Sequence, residues 1–323
     1  MSTTERGAAP APAAAAPRWP AVPPAAGAIV MATGIISVGF HLIGDDTLSA
    51  VLLAVAAAVW VWLAATFAAT LLRDRARWQA QAANPPALTA VAATCVLGTR
   101  LSLSGHRTMA QALLVVAVAV WPWLLVSVLR HWKRPAPGGA FLVCVATQGL
   151  AVLAATLSLA DGTVWLGRAA VIAFCLGVFL YGEALARFDF RQVLTGSGDH
   201  WIAAGALAIS ALAGSKLTAS PLWSGGTHTT LKIATLVLLS LDFAWYAVLA
   251  VCEILRPRPR YDIRRWSTVF PLGMTAVATL STSAAADLPG LHGLGTVLLW
   301  IAGAVWLLVL LGLGRSLTAA AQH

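Results

Sequence analysis

Leu48 to Leu72 reads LSAVLLAVAAAVWVWLAATFAATLL, a run with no charge, proline or glycine in it. About 17 to 25 mostly apolar residues cross the ~30 Å hydrocarbon layer of a bilayer as a helix. A surface helix of a soluble protein would need a polar stripe, and this run has none. It therefore reads as a membrane span, and the chain on either side of it repeats the pattern. Charges, prolines and glycines divide the sequence into nine further runs: Ala25 to Ile43, Ala87 to Leu103, Thr108 to Leu129, Gly139 to Leu159, Trp165 to Ala186, His200 to Leu217, Thr229 to Leu255, Ser267 to Ala286 and Gly293 to Gly314. The expected fold is an all-α integral membrane protein of ten transmembrane helices.

Composition supports this reading. Of 323 residues, 59% are hydrophobic and 10% are charged, against about 25% charged in an ordinary soluble domain. The net charge of +9 raises the question of a nucleic-acid partner, but the basic residues are gathered in short loops between apolar runs. That is the positive-inside pattern of a membrane protein, and nucleic acid is excluded as a partner. Arg100, Arg107, Arg168, Lys216 and Lys232 fall on one side of the membrane. The other 16 of the 21 Lys and Arg fall on the opposite side with both tails, so both termini are expected to be cytoplasmic, in a bacterial-type inner membrane. Residues 1–24, rich in Ala and Pro, read as a disordered tail, residues 25–314 as the membrane domain and residues 315–323 as a second tail. Cys95, Cys144, Cys175 and Cys252 lie inside apolar runs without metal or disulfide spacing, and read as small core residues.

The basic loops begin at Arg73, Arg130, Arg187 and Arg256, at intervals of 57, 57 and 69 residues. Each interval is one helix pair with its turns, so the expected architecture is five helical hairpins around a central pore. Trp78, Trp132, Trp165, Trp201, Trp223 and Trp266 fall at span ends, where an indole suits the headgroup level. Within each pair the odd span carries glycine and hydroxyl or amide side chains, whereas the second, fourth and eighth spans contain no glycine. Polar side chains in a membrane seek partners or a water-filled cavity. The odd spans are therefore expected to form an inner ring, with Thr33, Gly34, Thr94, Gln148, Ser210, Gly273 and Thr275 lining a pore. The competing reading is that small residues let helices pack closely.

The sequence holds no reactive constellation. Gly214, Ser215 and Lys216 resemble the end of a P-loop, but Ile209 stands at the first-glycine position. The seven histidines are scattered over span ends, loops and the tail, so no enzyme, cofactor or metal is expected. Asp242 alone is an ionisable residue central to a span, open to two readings: a proton-coupling carboxylate or a buried hydrogen-bond acceptor. Arg100 and Lys216 end two inner spans, either as a positive vestibule that concentrates anions or as interfacial anchors. In the ninth span Pro271 breaks the backbone ladder beside Phe270 and Leu272, and a bulky side chain projected into the lumen there would close it by dewetting.

Three stretches carry a resemblance. Gly27 to Ser37 (GAIVMATGIIS), Trp201 to Ser215 (WIAAGALAISALAGS) and Trp266 to Met274 (WSTVFPLGM) resemble, in order and spacing, the tellurite-resistance/dicarboxylate transporter family, which includes the plant guard-cell slow anion channels. The resemblance implies five hairpins about a pore, a homotrimer with one pore per protomer, and an aromatic gate from the ninth helix. Phe270 is the expected gate, and a two-residue shift of the match would put Leu272 in its place. The expected function is passive movement of small anions through a gated pore, as a channel or uniporter. The alternative is a proton-coupled transporter or exporter of C4-dicarboxylate, sulfite or tellurite-type oxyanions.

Overall fold

The computed structural model describes residues 23–132, 134–258 and 261–321. Most of the N-terminal tail, together with Lys133 and Arg260 of the basic loops, lies outside the described residues. Among the described residues ten helices, the odd ones taken with the 3₁₀ turn that leads into each, are long and apolar enough to cross a membrane: α1 (Gly27–Leu42), α2 (Asp46–Arg73), α3 (Thr89–Leu103), α4 (Arg107–Arg130), α5 (Leu142–Asp161), α6 (Val164–Leu185), α7 (Ile202–Thr218), α8 (Gly225–Leu255), α9 (Trp266–Ala286) and α10 (Gly290–Ala321). The last helix thus continues through residues 315–321, and a short amphipathic helix, Arg75–Ala82, follows α2.

Successive helices pair as hairpins. The turns inside pairs are tight: Gly44, Gly105 and Gly162 reverse the chain at φ of 86°, 83° and 66°, and Asp287 does so at 57°. Positive φ is a conformation glycine takes without steric cost. The connections between pairs are longer, and each odd helix is reached through a 3₁₀ turn, at Pro24–Ala26, Pro85–Leu88, Gly138–Phe141, Asp199–Trp201 and Ile263–Arg265. No even helix begins this way, so the structural repeat is one 3₁₀ turn, an inner helix, a tight turn and an outer helix.

Burial separates the two classes. Between 78% and 100% of each odd span's apolar window is buried, against 17% to 33% for the even spans. α1 packs on α3, α3 on α5, α5 on α7, α7 on α9, and α9 returns to α1, which closes an inner ring of five. Small residues make the seams. A Cβ built on Gly34 would stand 2.8 Å from Val96 Cγ1, one on Gly149 3.1 Å from Cys95 Cβ, and one on Gly273 3.0 Å from Ile35 Cγ2. Between α5 and α7, Cys144 Sγ reaches the Ala206 carbonyl at 3.7 Å. In lipid, where apolar faces gain nothing by leaving the tails, such close approach is what holds helices together.

Four of the five outer helices are fastened in one rotational sense, to the inner helix of the following hairpin; α6 is instead held by Gln148 of its own hairpin's inner helix. Trp60 Nε1 on α2 donates to Thr94 on α3 at 2.9 Å, and Trp121 Nε1 on α4 donates to Thr147 on α5 at 3.0 Å. Trp306 Nε1 on α10 donates to Thr33 on α1 at 2.9 Å, so the last hairpin closes on the first. On α8 the partner is an acid: Thr275 on α9 donates to Asp242 Oδ1 at 3.2 Å. The tryptophans expected at headgroup level divide: Trp165 is exposed, but Trp201 and Trp266 are buried, packed edge-on against Tyr246 and Trp306. Of the cysteines, Cys95 and Cys144 are buried whereas Cys175 is exposed on the outer helix α6.

These fastenings are separable by mutation. Trp60→Phe, Trp121→Phe and Trp306→Phe each remove one interhelical hydrogen bond, worth about 0.6 kcal/mol in a membrane protein, and their effects should add because the sites lie on different seams. Thermal unfolding of the triple variant in detergent, read by thiol-reactive fluorescence, should show a drop near the sum of the singles. An unchanged triple variant would mean that the indole bonds do not hold the ring.

Candidate functional site

The axis of the inner ring carries the candidate site. Every inner helix contributes to one cavity there: α1 through Ile35 and Val38, α3 through Cys95, Val96 and Thr99, α5 through Gly149 and Val152, α7 through Ile209 and Leu212, and α9 through Met274. Its volume is about 10 Å³, room for about one water molecule. A hydrated anion does not fit, so the lumen is shut at this depth. The walls are apolar: the Thr99 hydroxyl turns back to the Cys95 carbonyl at 2.8 Å and is the one hydroxyl side chain among them.

The residues expected from sequence to line the lumen stand apart from this cavity. None of Thr33, Thr94, Gln148, Ser210 and Thr275 borders the cavity. Thr33, Thr94 and Thr275 face the outer helices through the bonds described above. Gln148 donates to the Phe174 carbonyl of α6 at 3.1 Å, and Ser210 lies in the α5–α7 seam against Cys144. The physical reason is the helical period: Thr33 and Ile35 differ by about 200° round α1, so only one of them can face the axis. Gly34 and Gly273 sit in the seams, and of the inner-ring glycines Gly149 is the one at the cavity wall.

The lining had a signal in the sequence that residue polarity hides. Lumen-facing positions recur as i, i+3 pairs, Ile35 with Val38, Val96 with Thr99, Gly149 with Val152 and Ile209 with Leu212. One face of each inner helix is thus a short, mostly apolar stripe set among hydroxyls and glycines.

Extending those stripes locates the remaining expected residues. Phe270 is 1% exposed and precedes Met274 by four residues, which places it on the same face of α9 one turn nearer the basic loops. Gly205 stands in the same relation to Ile209 on α7, and a Cβ built on it would lie 2.9 Å from Pro271 Cγ and 3.2 Å from Phe270 Cε1. The ring of Phe270 therefore reaches across to α7 at a point kept open by the absence of a side chain. Leu272 is also buried, but lies about 200° round the helix from Phe270.

At the opposite mouth, Lys216 follows Ile209 by two turns, within about 20° of the same stripe. It is half-buried, and no hydrogen bond or ion pair to a described residue holds its ammonium. Arg100 behaves otherwise: its guanidinium is buried, donating from Nε to Ser49 on α2 at 2.9 Å and from Nη1 to Ser104. Structure thus turns Arg100 toward the outer helix and leaves Lys216 as the cation on a lumen stripe. Asp242 is fully buried off the axis, and its Oδ2 has no hydrogen-bond partner.

Five hairpins with an inner ring closed on an axial cavity form the architecture of a helical membrane transport protein. The sequence profile described as SLAC1, voltage-dependent anion channel, matches residues 21–313, and the chain belongs to that family, the tellurite-resistance/dicarboxylate transporter family that includes the slow anion channels. No curated protein matches the chain. The family consists of multi-pass membrane channels and transporters for anions, not of enzymes.

Proposed function

We propose that the chain conducts small anions passively along the axis of the inner ring, with Phe270 as the gate. The observation that carries this reading is the cavity to which all five inner helices contribute, apolar and closed, with the Phe270 ring one turn beyond its wall and seated against Gly205. An apolar constriction excludes ions by dewetting, and moving one bulky side chain is enough to wet it. Lys216 supplies the sign of the permeant ion at the far mouth, as a charge that attracts anions without binding them tightly inside the lumen. In the same reading the basic loops face the cytoplasm with both termini, the membrane is a bacterial-type inner membrane, and the protein assembles as a homotrimer with one pore per protomer.

Reversal potentials of purified protein in a planar bilayer under a potassium chloride gradient test this. Phe270→Ala should enlarge the chloride current about tenfold, the effect of lowering a barrier by about 1.4 kcal/mol. Lys216→Gln, measured in the same bilayers, should move the reversal potential away from the chloride equilibrium value. Currents unchanged by Phe270→Ala would remove the gate, and an unmoved reversal potential would remove Lys216 from the selectivity mechanism.

The coupled-transport alternative has one feature in its favour, the unpartnered Oδ2 of Asp242. Against it stands the position of Asp242 between α8 and α9, with its other oxygen held by Thr275 and no part in the cavity wall. Asp242→Asn should therefore leave the pH dependence of anion flux into liposomes unchanged while lowering thermal stability modestly. Loss of flux driven by a pH gradient in the Asn variant would instead favour the coupled mechanism.

A further inference from the structure

A second cavity lies away from the axis, at the basic-loop end of α8. Its volume is about 320 Å³, at the small end of the range typical of ligand pockets. Val193, Leu194, Thr195 and Gly196 form one wall, His200 another, and Cys252, Glu253, Arg256 and Arg258 the third. Nothing in the conduction mechanism uses it.

Charge decides what it can hold. Glu253 is its one acid, and that carboxylate is already matched twice, by Arg258 and by Arg265, whose Nη1 donates to Oε1 at 2.8 Å. Arg258 Nη1 also donates to the Gly196 carbonyl at 3.4 Å, which ties the two walls together. Arg256 is left exposed at the rim with no ion pair to a described residue. With Arg265 and Asp199 behind the wall, three guanidinium groups stand against two carboxylates, an excess of one positive charge. Inside, His200 is 4% exposed and its Nδ1 has no hydrogen-bond partner. That nitrogen is covered by Gly196, on which a Cβ would collide with it, so the ring packs as wall and does not donate into the space.

Position narrows the anion further. Ile254 and Leu255, the two residues before Arg256, are 78% and 69% exposed on the outer helix, and Leu194 across the cavity is 52% exposed. Arg256 is therefore the first charge after a lipid-facing turn, at the level where acyl chains give way to headgroups. Arginine at such a site matches phosphate oxygens in geometry as well as charge. We propose that this cavity is a binding site for a phosphate group, carried by an anionic phospholipid headgroup or by a free phosphate, with Arg256 as the recruiting cation and Arg258 as the inner donor.

The exposed Arg256 carries the test because its replacement leaves the buried wall intact. Full-length protein in detergent is given phosphatidylglycerol or phosphatidylcholine, and the retained lipid is counted by native mass spectrometry. The native chain should retain phosphatidylglycerol preferentially. Arg256→Gln should weaken retention about tenfold, the loss of one charged hydrogen bond, Arg256→Lys should keep most of it, and Arg168→Gln on the opposite face should match the native chain. A parallel titration with inorganic phosphate, read by melting temperature, separates the sources. Stabilisation of the native chain but not of Arg256→Gln, with displacement of the lipid, assigns the site to free phosphate. Lipid preference without that stabilisation assigns it to the headgroup. Equal phosphatidylglycerol retention by the native chain and Arg256→Gln, with no phosphate-dependent shift in either, would overturn the proposal.

Discussion

Hydrocarbon offers no partner to a polar side chain, and the architecture of this protein follows from how its inner helices meet that constraint. Backbone groups are satisfied within each helix, which leaves the threonine hydroxyls of α1, α3, α5 and α9 to be placed. One on each helix is spent on grip: Thr33, Thr94 and Thr147 each receive an indole N–H and Thr275 donates to Asp242, each bond running to the outer helix of the hairpin before. Once the hydroxyls point outward, the helical period turns a different face to the axis, and that face is apolar. In the seams between inner helices Gly34, Gly149 and Gly273 let the neighbours come close enough for dispersion to hold them, and Ser215 donates to Ser281 at 2.8 Å between α7 and α9.

This division explains how far the sequence could be read. Ten spans and their pairing were legible because span length and the clustering of basic residues follow from bilayer thickness and the positive-inside rule, neither of which depends on packing. The inner and outer classes were legible as well, since only a helix surrounded by protein can carry many glycines and hydroxyls, and burial divides the helices as that argument requires. Which residues face the axis was not. A threonine in a buried helix faces a partner or water, and polarity alone does not distinguish Trp306 beside Thr33 from a wet lumen. Telling them apart needs the phase of one helix relative to its neighbours, information held in pairs such as Trp60 with Thr94, far apart in the chain. Asp242 shows the same limit: its isolation in a span marked it as unusual, but its role as the acceptor for Thr275 depends on a residue 33 positions further along, on the next helix.

Arg100 and Lys216 make the point with charge. Both sit in the last turn of an inner helix, and the sequence treats them alike. What separates them is the serine at position 49, which lies on α2 within reach of Arg100 and is itself bonded to Ser37 on α1. A guanidinium with fixed hydrogen-bond geometry is captured by that cluster, whereas the ammonium of Lys216 finds no comparable set of acceptors among the described residues.

An apolar axis without fixed charge places particular demands on opening. Widening the whole ring would pull apart the seams at Gly34, Gly149 and Gly273, and each seam contributes to holding its neighbours, so a collective expansion costs contacts all round. A local change costs far less. Pro271 has no N–H to offer the Ser267 carbonyl, so α9 lacks one rung of its ladder immediately beside Phe270. The same proline packs against Gly205, the notch on α7 toward which the Phe270 ring extends. Compliance in the backbone, a bulky side chain on the lumen stripe and the space that receives it are thus concentrated within one turn of two adjacent helices. A ring moving there would wet the axis while the four other seams stay closed, which is the argument for placing the proposed gate at this turn rather than at the cavity's own wall.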